Sequence, residues 1–461
     1  MTAQKSKRIS LKDIERPEPR YQEIIKKDGD IVPEVLLLDE NHIPPLRPIP
    51  LSRYTSQDFC NLELEKMWPK VWQFACREEQ LTAQGDYYVY EIGKYSVIIT
   101  RTDSGKLRAY HNSCLHRGTK LKPSDSIGQS KVIQCPYHGW TWNLMGDLKD
   151  IPCEWDFPHI EKESLPLPQV RVDVWNSLVF INLGESGPSL QDYLEVLPAH
   201  FKNWDFSDWY TNVHVRKELP CNWKAAQDAF IEAYHTAMIH PQAVGTSGDI
   251  NQQHDIFGDN VSRDIVALGV SSPTLQTPLS DEEILAQMLM GDAAVLGERP
   301  KLSAGETART VMANTLKSTF QDMGLDIENS SAAETIDSIK YSVFPNLFIF
   351  AGLSLRVLYV YRPLGTTPDR CTFDILFMRP VKKGESRPPP ASVVLVKENE
   401  SYADVPGMDP GFGELFDQDT AILKSQHAGM QASKEGTALF SAYLESRLRH
   451  THDTLEKYLY P

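Results

Sequence analysis

Two short segments, each carrying one cysteine and one histidine, constrain this chain more than any other feature. The first is Cys114-Leu-His116, and the second, after eighteen intervening residues, is Cys135-Pro-Tyr-His138. Two pairs of closely spaced ligands on separate loops are a common way of holding a compact metal centre. The turn formers that ligand loops require flank both segments, namely Gly118, Pro136 and Gly139. The sequence therefore predicts a metal clamp made of these four side chains.

The composition of the clamp bears on which metal it holds. A zinc site usually groups its ligands as a cysteine pair and a histidine pair, whereas each segment here contributes one of each. In a [2Fe–2S] centre, one iron can take both thiolates and the other both imidazoles. The neutral imidazoles raise the reduction potential above that of an all-cysteine cluster. The mixed pairs therefore favour a [2Fe–2S] cluster over zinc.

A second group of candidate ligands lies further along the chain. The segment from Lys224 to Ile239 is rich in strong helix formers and apolar side chains, which predicts one largely buried helix. Asp228, Glu232 and His235 follow at steps of four and three, so they would share one face of it. His240 lies five positions beyond His235, and the proline after it should end the helix and let that imidazole swing back. Two imidazoles and one carboxylate form the facial triad that leaves open positions on Fe(II).

These motifs resemble those of a known family. CLHRG followed by CPYHGWTWNLMGDL resembles the Rieske signature of the non-haem iron ring-hydroxylating oxygenases, and NWK…AYHTAMIH resembles their iron-binding segment. The resemblance covers nearly everything from residue 51 onward. It implies an α+β protein with an all-β Rieske domain at 51–180 and a helix-grip (START-like) catalytic domain with an antiparallel sheet at 181–461. Short apolar runs broken by turns between residues 71 and 182 agree with the all-β prediction.

The resemblance also indicates which carboxylate completes the triad. From the residues alone, Asp228 and Glu232 are both available. In the family the third ligand comes from a distant C-terminal segment in which a Gln-Asp pair precedes a helix, and Leu415 to Gln426 resembles that segment. We therefore expect Asp419 to be the third iron ligand, with Asp417 as the alternative.

The acid three residues before the first iron histidine has a different role in the family. It bridges a cluster histidine of one subunit to an iron histidine of the next, and so orients both imidazoles. Here that acid is Glu232, where the family more often has an aspartate. The resemblance implies that Glu232 links His138 of one subunit to His235 of another, and Asp228 is kept as a further catalytic-site residue.

By the same resemblance, the chain is expected to be the terminal oxygenase of a multicomponent system. Its cofactors would be a [2Fe–2S] cluster and a mononuclear Fe(II). It would hydroxylate an aromatic or other apolar cyclic substrate with O₂. A ferredoxin or flavin reductase would relay electrons from NAD(P)H, since the sequence contains no Gly-rich dinucleotide fingerprint. Monooxygenation with O- or N-demethylation, a pure electron carrier and a noncatalytic partner subunit are the alternatives.

Charge and length suggest partners and location. The formal net charge of −15 argues against nucleic acid. A local excess of basic residues around the first metal segment is expected to dock an acidic electron donor, and it comprises Lys106, Arg108, Arg117, Lys120, Lys122 and Lys131. In the family the two domains of one subunit lie far apart, so the resemblance implies head-to-tail packing, for which a homotrimer, with or without a β subunit, is the simplest closed ring. No apolar window is long enough to span a bilayer and no leader is evident, so we expect a cytoplasmic protein.

The remaining segments carry weaker predictions. Residues 1–50 alternate charges and prolines, which is typical of an extended arm. Residues 241–335 are the least family-like and are expected to form a helical insert near the substrate pocket. Capping boxes at Ser280–Glu283 and Ser303–Glu306 would open its helices, through Ile284–Met290 and Thr307–Met323. Further predictions are strands at 341–351, 355–361 and 372–378, a Pro-rich loop at 384–410 and a closing amphipathic helix at 438–458.

Overall fold

The computed structural model describes residues 10–29, 31–39, 42–289, 302–325, 327–353 and 355–461. They divide into two compact units. The small unit comprises 57–193, 362–367 and 458–461. The large unit comprises 194–361 and 368–457 together with the described part of 1–56.

The elements of the described chain follow in order. The strands are β1 Ile49–Pro50, β2 Gln73–Arg77, β3 Asp86–Ile92, β4 Tyr95–Arg101, β5 Leu107–His111, β6 Ile127–Gln129, β7 Ile133–Gln134, β8 Thr141–Trp142, β9 Leu148–Asp150, β10 Gln169–Trp175, β11 Leu178–Asn182, β12 Trp209–Leu219, β13 Gln253–Ile256, β14 Val261–Val266, β15 Ser338–Val343, β16 Leu347–Phe350, β17 Val357–Pro363, β18 Cys371–Pro380, β19 Val393–Val396 and β20 Thr437–Ala438. The α-helices are α1 Tyr21–Lys27, α2 Glu34–Leu37, α3 Ser52–Thr55, α4 Gln57–Lys66, α5 Leu190–Tyr193, α6 Leu197–His200, α7 Trp223–Asp228, α8 Thr236–Ile239, α9 Asp281–Met288, α10 Ala308–Asp322, α11 Ala332–Ile336, α12 Pro410–Ala432 and α13 Ser446–Leu459.

The small unit is built from two antiparallel sheets. Seven strands pair in the order β2-β11-β10-β5-β4-β3-β6, and a second sheet has the order β7-β8-β9. The short apolar runs predicted between residues 71 and 182 form strands, because each presents apolar side chains to a buried core. That core includes Tyr110, Trp140 and Trp142, and the side chains of Cys114 and Cys135 belong to it. The all-β prediction for this region is confirmed.

The large unit is organised around an eight-stranded sheet of order β13-β14-β15-β16-β17-β18-β12-β19. The pairs from β13 through β17 are antiparallel, as is β12 with β18, whereas β12 and β19 run parallel. Helix α12 packs against the sheet through Phe416, whose ring lies 5.7 Å from that of Tyr359 and 6.1 Å from that of Phe373. This aromatic layer anchors the helix that carries Asp419, and the predicted α+β class with an antiparallel sheet is confirmed.

The segment predicted as a helical insert is only partly helical. Residues 253–256 and 261–266 form β13 and β14, which the sequence analysis missed. All their residues are buried, charged and apolar alike, and Asp255 pairs with Arg263 at 2.7 Å in the interior. The sequence therefore has no alternation of apolar and polar residues that would reveal the strands. Ser280 caps α9 as predicted, while Met290 lies outside the described residues.

The second predicted capping box does not open a helix. The carboxylate of Glu306 accepts a hydrogen bond from the Ser303 backbone N–H at 2.7 Å, but this closes a turn. Helix α10 begins at Ala308, and its cap is Thr307, whose side chain accepts from the Thr310 N–H.

Three other segments also differ from expectation. Residues 384–410 contain β19, and the closing helix begins at Ser446 because Ala438 pairs in β20. The described part of the arm contains α1 and α2 and packs on its own large unit, where the Tyr21 hydroxyl donates to Asp337 at 3.1 Å. Among the described residues, no helix is long and apolar enough to cross a membrane.

Candidate metal centres

The two clamp segments of the small unit form matching turns. The Gly118 N–H donates to the Cys114 carbonyl at 2.8 Å, and the Gly139 N–H donates to the Cys135 carbonyl at 3.1 Å. Both glycines have a φ of 78°, a left-handed conformation that a side chain at either position would strain. Each turn therefore presents one cysteine and one histidine in a fixed backbone frame.

The side chains of the clamp fit a [2Fe–2S] cluster. The thiols of Cys114 and Cys135 contact each other in the core, and burial raises the pKa of Cys114. The rings of His116 and His138 lie 4.7 Å apart. Nδ1 of His116 is buried and, among the described residues, has no hydrogen-bond partner, which is costly for a polar atom unless it binds a metal. Nε2 of His138 accepts a hydrogen bond from Arg117 at 2.7 Å, so Nδ1 is the ring nitrogen that would have to give up its proton to bind a cluster iron.

In the large unit, the predicted continuous helix from Lys224 to Ile239 is wrong. Helix α7 ends at Asp228, α8 begins at Thr236, and residues 229–235 form an unwound segment between them. The carboxylate of Glu232 accepts hydrogen bonds from the backbone N–H groups of Tyr234 and His235, the latter at 3.2 Å. A side chain that bonds its own backbone in this way competes with the helix.

The unwound segment brings the two histidines together with one distant carboxylate. Candidate ligand atoms of His235, His240 and Asp419 all lie within 4.8 Å of one another. Oδ1 of Asp419 is 3.4 Å from Nε2 of His235 and 2.8 Å from Nε2 of His240. Burial alone would raise the pKa of Asp419, but hydrogen bonds from both imidazoles hold it below its ordinary value, so the carboxylate is ionised.

Each imidazole is oriented by a hydrogen bond from its Nδ1 to a second side chain. Nδ1 of His235 donates to Glu232 at 2.8 Å, and Nδ1 of His240 donates to the side-chain oxygen of Gln418 at 2.7 Å. With a metal bound, these bonds would keep the proton of each ring on Nδ1 and leave Nε2, released from its hydrogen bond to Asp419, as the ligand atom, which is the usual arrangement around a protein-bound metal. Sequence reasoning missed Gln418, although its position directly before Asp419 could have indicated it.

The other predicted acids lie elsewhere. Asp417 accepts hydrogen bonds from Ser401 and from the Tyr402 N–H at 3.1 Å, away from the two histidines. Asp228 lies outside the compact ligand set and accepts a hydrogen bond from Tyr54 at 2.6 Å. The Gln-Asp pair at 418–419 lies within α12, which begins at Pro410, and does not precede the helix as expected.

The burial of Asp228 leads us to expect that the stability of the protein depends on pH. Burial raises its pKa to about 7, against the opposing effects of the Tyr54 hydrogen bond and of Lys224. The unfolded chain releases this proton near pH 4, so the free energy of unfolding should fall as pH rises from about 4 to 7, by at most about 4 kcal/mol. We expect Asp228→Asn to flatten this dependence and to unfold at a higher temperature than wild type at pH 8. Equal melting-temperature profiles of the two proteins from pH 4 to 8 would contradict it.

Together, the folds and the two sites define a class. The small unit with its four-residue clamp is of the Rieske type, and the large unit carries a candidate two-histidine, one-carboxylate iron site. Two family models match the chain, a Rieske [2Fe-2S] domain over residues 71–162 and a ring hydroxylating alpha subunit (catalytic domain) over residues 205–460. The second match spans more than half of the 461 residues, and the chain belongs to the ring-hydroxylating alpha subunit family.

Individual relatives are more distant. The chain is 32% identical over 190 residues to the chlorobenzene dioxygenase subunit alpha of Cupriavidus sp. (strain PS12), covering 40% of this chain and 42% of that protein. It is 28% identical over 224 residues to the glycine betaine monooxygenase oxygenase subunit of Pseudomonas aeruginosa (strain UCBPP-PA14), covering 49% and 52%. It thus spans about half the length of the curated relatives it matches.

Naphthalene 1,2-dioxygenase from Rhodococcus sp., solved bound to indole, has a similar fold. The TM-score is 0.61 at 20% identity, and the match covers 89% of this chain and 94% of that one.

Proposed function

We propose that this chain is the terminal oxygenase component of a multicomponent Rieske oxygenase. The observation that carries the proposal is the convergence of His235, His240 and Asp419 on one point, with Nε2 of both imidazoles directed at the same carboxylate oxygen. Residues 51–180 would form the electron-relay domain and 181–461 the catalytic domain. When bound, the [2Fe–2S] cluster supplies single electrons and the mononuclear iron supplies dioxygen activation.

In the proposed enzyme, residues of this chain would hold and orient both metal centres. Cys114, His116, Cys135 and His138 would hold the cluster. His235, His240 and Asp419 would hold Fe(II), leaving coordination positions open. Glu232 and Gln418 keep the two iron imidazoles in the tautomer that binds metal.

The experiment that tests the proposal is reconstitution. The purified chain, loaded with both metals and supplied with NAD(P)H and a surrogate reductase and ferredoxin, should consume O₂ in proportion to the product formed. An electron carrier would instead become reduced and bind only the two irons of a cluster. A noncatalytic partner subunit would consume no O₂ with any substrate.

A cavity in the large unit supports a small apolar cyclic substrate. It has a volume of about 310 Å³, and its lining is mainly apolar and aromatic, including Trp209, Phe320, Phe377 and Phe412. Phe412 lies seven residues before Asp419 on α12, so both occupy the same helix face about 10 Å apart along the axis. Hydroxylation of an aromatic ring suits this lining.

Demethylation is the alternative reaction, since one relative is named a glycine betaine monooxygenase. A screen of aromatic hydrocarbons against quaternary ammonium compounds, read as product per O₂ consumed, distinguishes the two substrate classes. Whether the enzyme adds one or both oxygen atoms follows from the same product analysis.

Two exposed faces support head-to-tail association of identical chains. Around the clamp, Tyr137 is 59% exposed and Trp155 81% exposed, and beside the iron histidines Met238 is 85% exposed. We propose that the clamp face of one copy covers the iron face of the next in a homotrimer, so that Glu232 bridges His235 to the neighbouring copy's clamp at His138. A β subunit is compatible with such a ring.

The basic residues near the clamp support docking of an acidic ferredoxin or flavin reductase. Lys106, Arg117 and Lys131 are exposed, whereas Lys120 pairs with Glu91 at 3.0 Å. Donor reduction rates should therefore fall as ionic strength rises. The cytoplasmic location expected from the sequence stays a prediction.

The ligands of the clamp allow a prediction about the reduction potential of the cluster. Replacing His138 by Cys should retain cluster iron but lower the midpoint potential by on the order of 100 mV or more, because an anionic thiolate replaces a neutral imidazole. Potentiometric titration of the visible spectrum measures the change. His159→Cys, a nearby histidine outside the clamp, is the matched control, and an unchanged potential in His138→Cys would remove His138 from the ligand set.

A further inference from the structure

The unwound segment 229–235 has an unusual pattern of hydrogen bonds. In a continuous helix, the carbonyls of Phe230 and Ile231 would accept from the N–H groups of Tyr234 and His235. Those two N–H groups donate instead to the carboxylate of Glu232. The two carbonyls are thereby released from the helix, and buried carbonyls require other donors.

Two buried cations supply these donors. The Lys340 ammonium on β15 donates to the Phe230 carbonyl. The Arg447 guanidinium on α13 donates to the Ile231 carbonyl at 2.7 Å. Lys340 is 8% exposed and Arg447 is fully buried, so each bond is made out of contact with water, where a charged donor is strongest.

Both cations also contact side chains of the eight-stranded sheet. Arg447 pairs with Asp264 of β14 and also donates to Ser262 at 3.1 Å, while Lys340 lies 3.5 Å from the same Asp264. One buried carboxylate thus serves two cations, and the Glu232 carboxylate is the second anion of the cluster. The break in the helix is therefore stabilised by four charged groups drawn from four separate elements of the chain.

We propose that Arg447 and Lys340 are positioning residues of the iron site, which hold the unwound segment so that Glu232 engages His235. This inference rests on the proposed function, since it assigns the two buried cations a role in metal binding at the iron site. Neither cation touches the three candidate ligands. Without either one, a released carbonyl would recover its helical partner, and Glu232 would lose a backbone N–H that fixes it behind the imidazole.

The test measures metal affinity in the full chain with its cluster loaded. Fe(II) is titrated anaerobically against a competing chelator, in wild type, Arg447→Lys and Lys340→Met. We expect the dissociation constant to rise 10- to 100-fold in both variants, the range seen when groups supporting metal ligands are changed, while the visible spectrum of the cluster stays the same. Arg449→Lys is the matched control, because Arg449 is also buried on α13 but donates to the carbonyls of Ser441 and Ala442.

The outcomes separate the possibilities. The proposal would be overturned by wild-type Fe(II) affinity in either folded variant, or by an equal loss of Fe(II) affinity in Arg449→Lys. A purely structural role of the two cations would change the melting temperature without selectively weakening metal binding. Lys340→Met leaves Arg447 paired with Asp264, so it decides the question if Arg447→Lys does not fold. If wild type binds no Fe(II) beyond the cluster and His240→Ala changes nothing, the proposed function itself has failed.

Discussion

Asp419→Ala should remove roughly one of three irons per chain and abolish oxygenase activity, while leaving the visible spectrum of the cluster intact. The reason is geometric, because Oδ1 of Asp419 is the only carboxylate oxygen among the described residues that joins both iron imidazoles in one compact set. Iron analysis together with absorption spectroscopy measures both effects on the same sample.

Asp417→Ala is the matched control for this prediction. It removes a carboxylate from the same helix, two residues away, whose partners are Ser401 and the Tyr402 N–H. We expect it to keep its iron and its activity. Loss of the mononuclear iron from Asp417→Ala and not from Asp419→Ala would show that the assignment of the third ligand is wrong.

Glu232→Gln should leave both metals bound but slow turnover about 10- to 100-fold. An amide oxygen can accept the proton of His235 Nδ1, yet it cannot hold that imidazole and two backbone N–H groups as a carboxylate does, nor the histidine that the proposed trimer would add. The reduced cluster should therefore persist in the presence of O₂ and substrate. Single-turnover kinetics of the prereduced enzyme measures the rate of cluster reoxidation.

Asp417→Asn serves as the control here, since Asp417 is an acid of the same unit whose partners are Ser401, the Tyr402 N–H and Lys217. It should reoxidise its cluster at a rate close to that of wild type. If Glu232→Gln also reoxidised at the wild-type rate, Glu232 would have no part in electron transfer between the centres.

The sequence could single out the candidate clamp and the two candidate iron histidines because their information is local. Cys114 and His116 are two residues apart, and glycines at 118 and 139 occupy left-handed positions that turns of this kind require. Such spacing can be read from the sequence without knowing how the rest of the chain folds. The strands of the small unit were recognisable for a similar reason, since apolar runs and turn residues alternate along the chain.

The third ligand could not be obtained from local information. Asp419 is 179 positions from His240, and the residues alone offered Asp228 and Glu232 as equally good carboxylates. Only the family resemblance pointed to α12, and only the packing of Phe416 onto the sheet places Asp419 and Gln418 beside the histidines.

By itself, the sequence indicated the class of the protein through its family resemblance, and it singled out the four candidate clamp residues and the candidate histidine pair, since closely spaced ligands and turn formers act over a few residues. Only the tertiary structure decided how the segment between α7 and α8 folds. Helix propensity favours one continuous helix there, and the charges that oppose it come from Lys340 and Arg447, more than a hundred residues away. Strands β13 and β14 escaped prediction for a related reason, because they bury charged residues whose ion-pair partners are known only once the chain has folded.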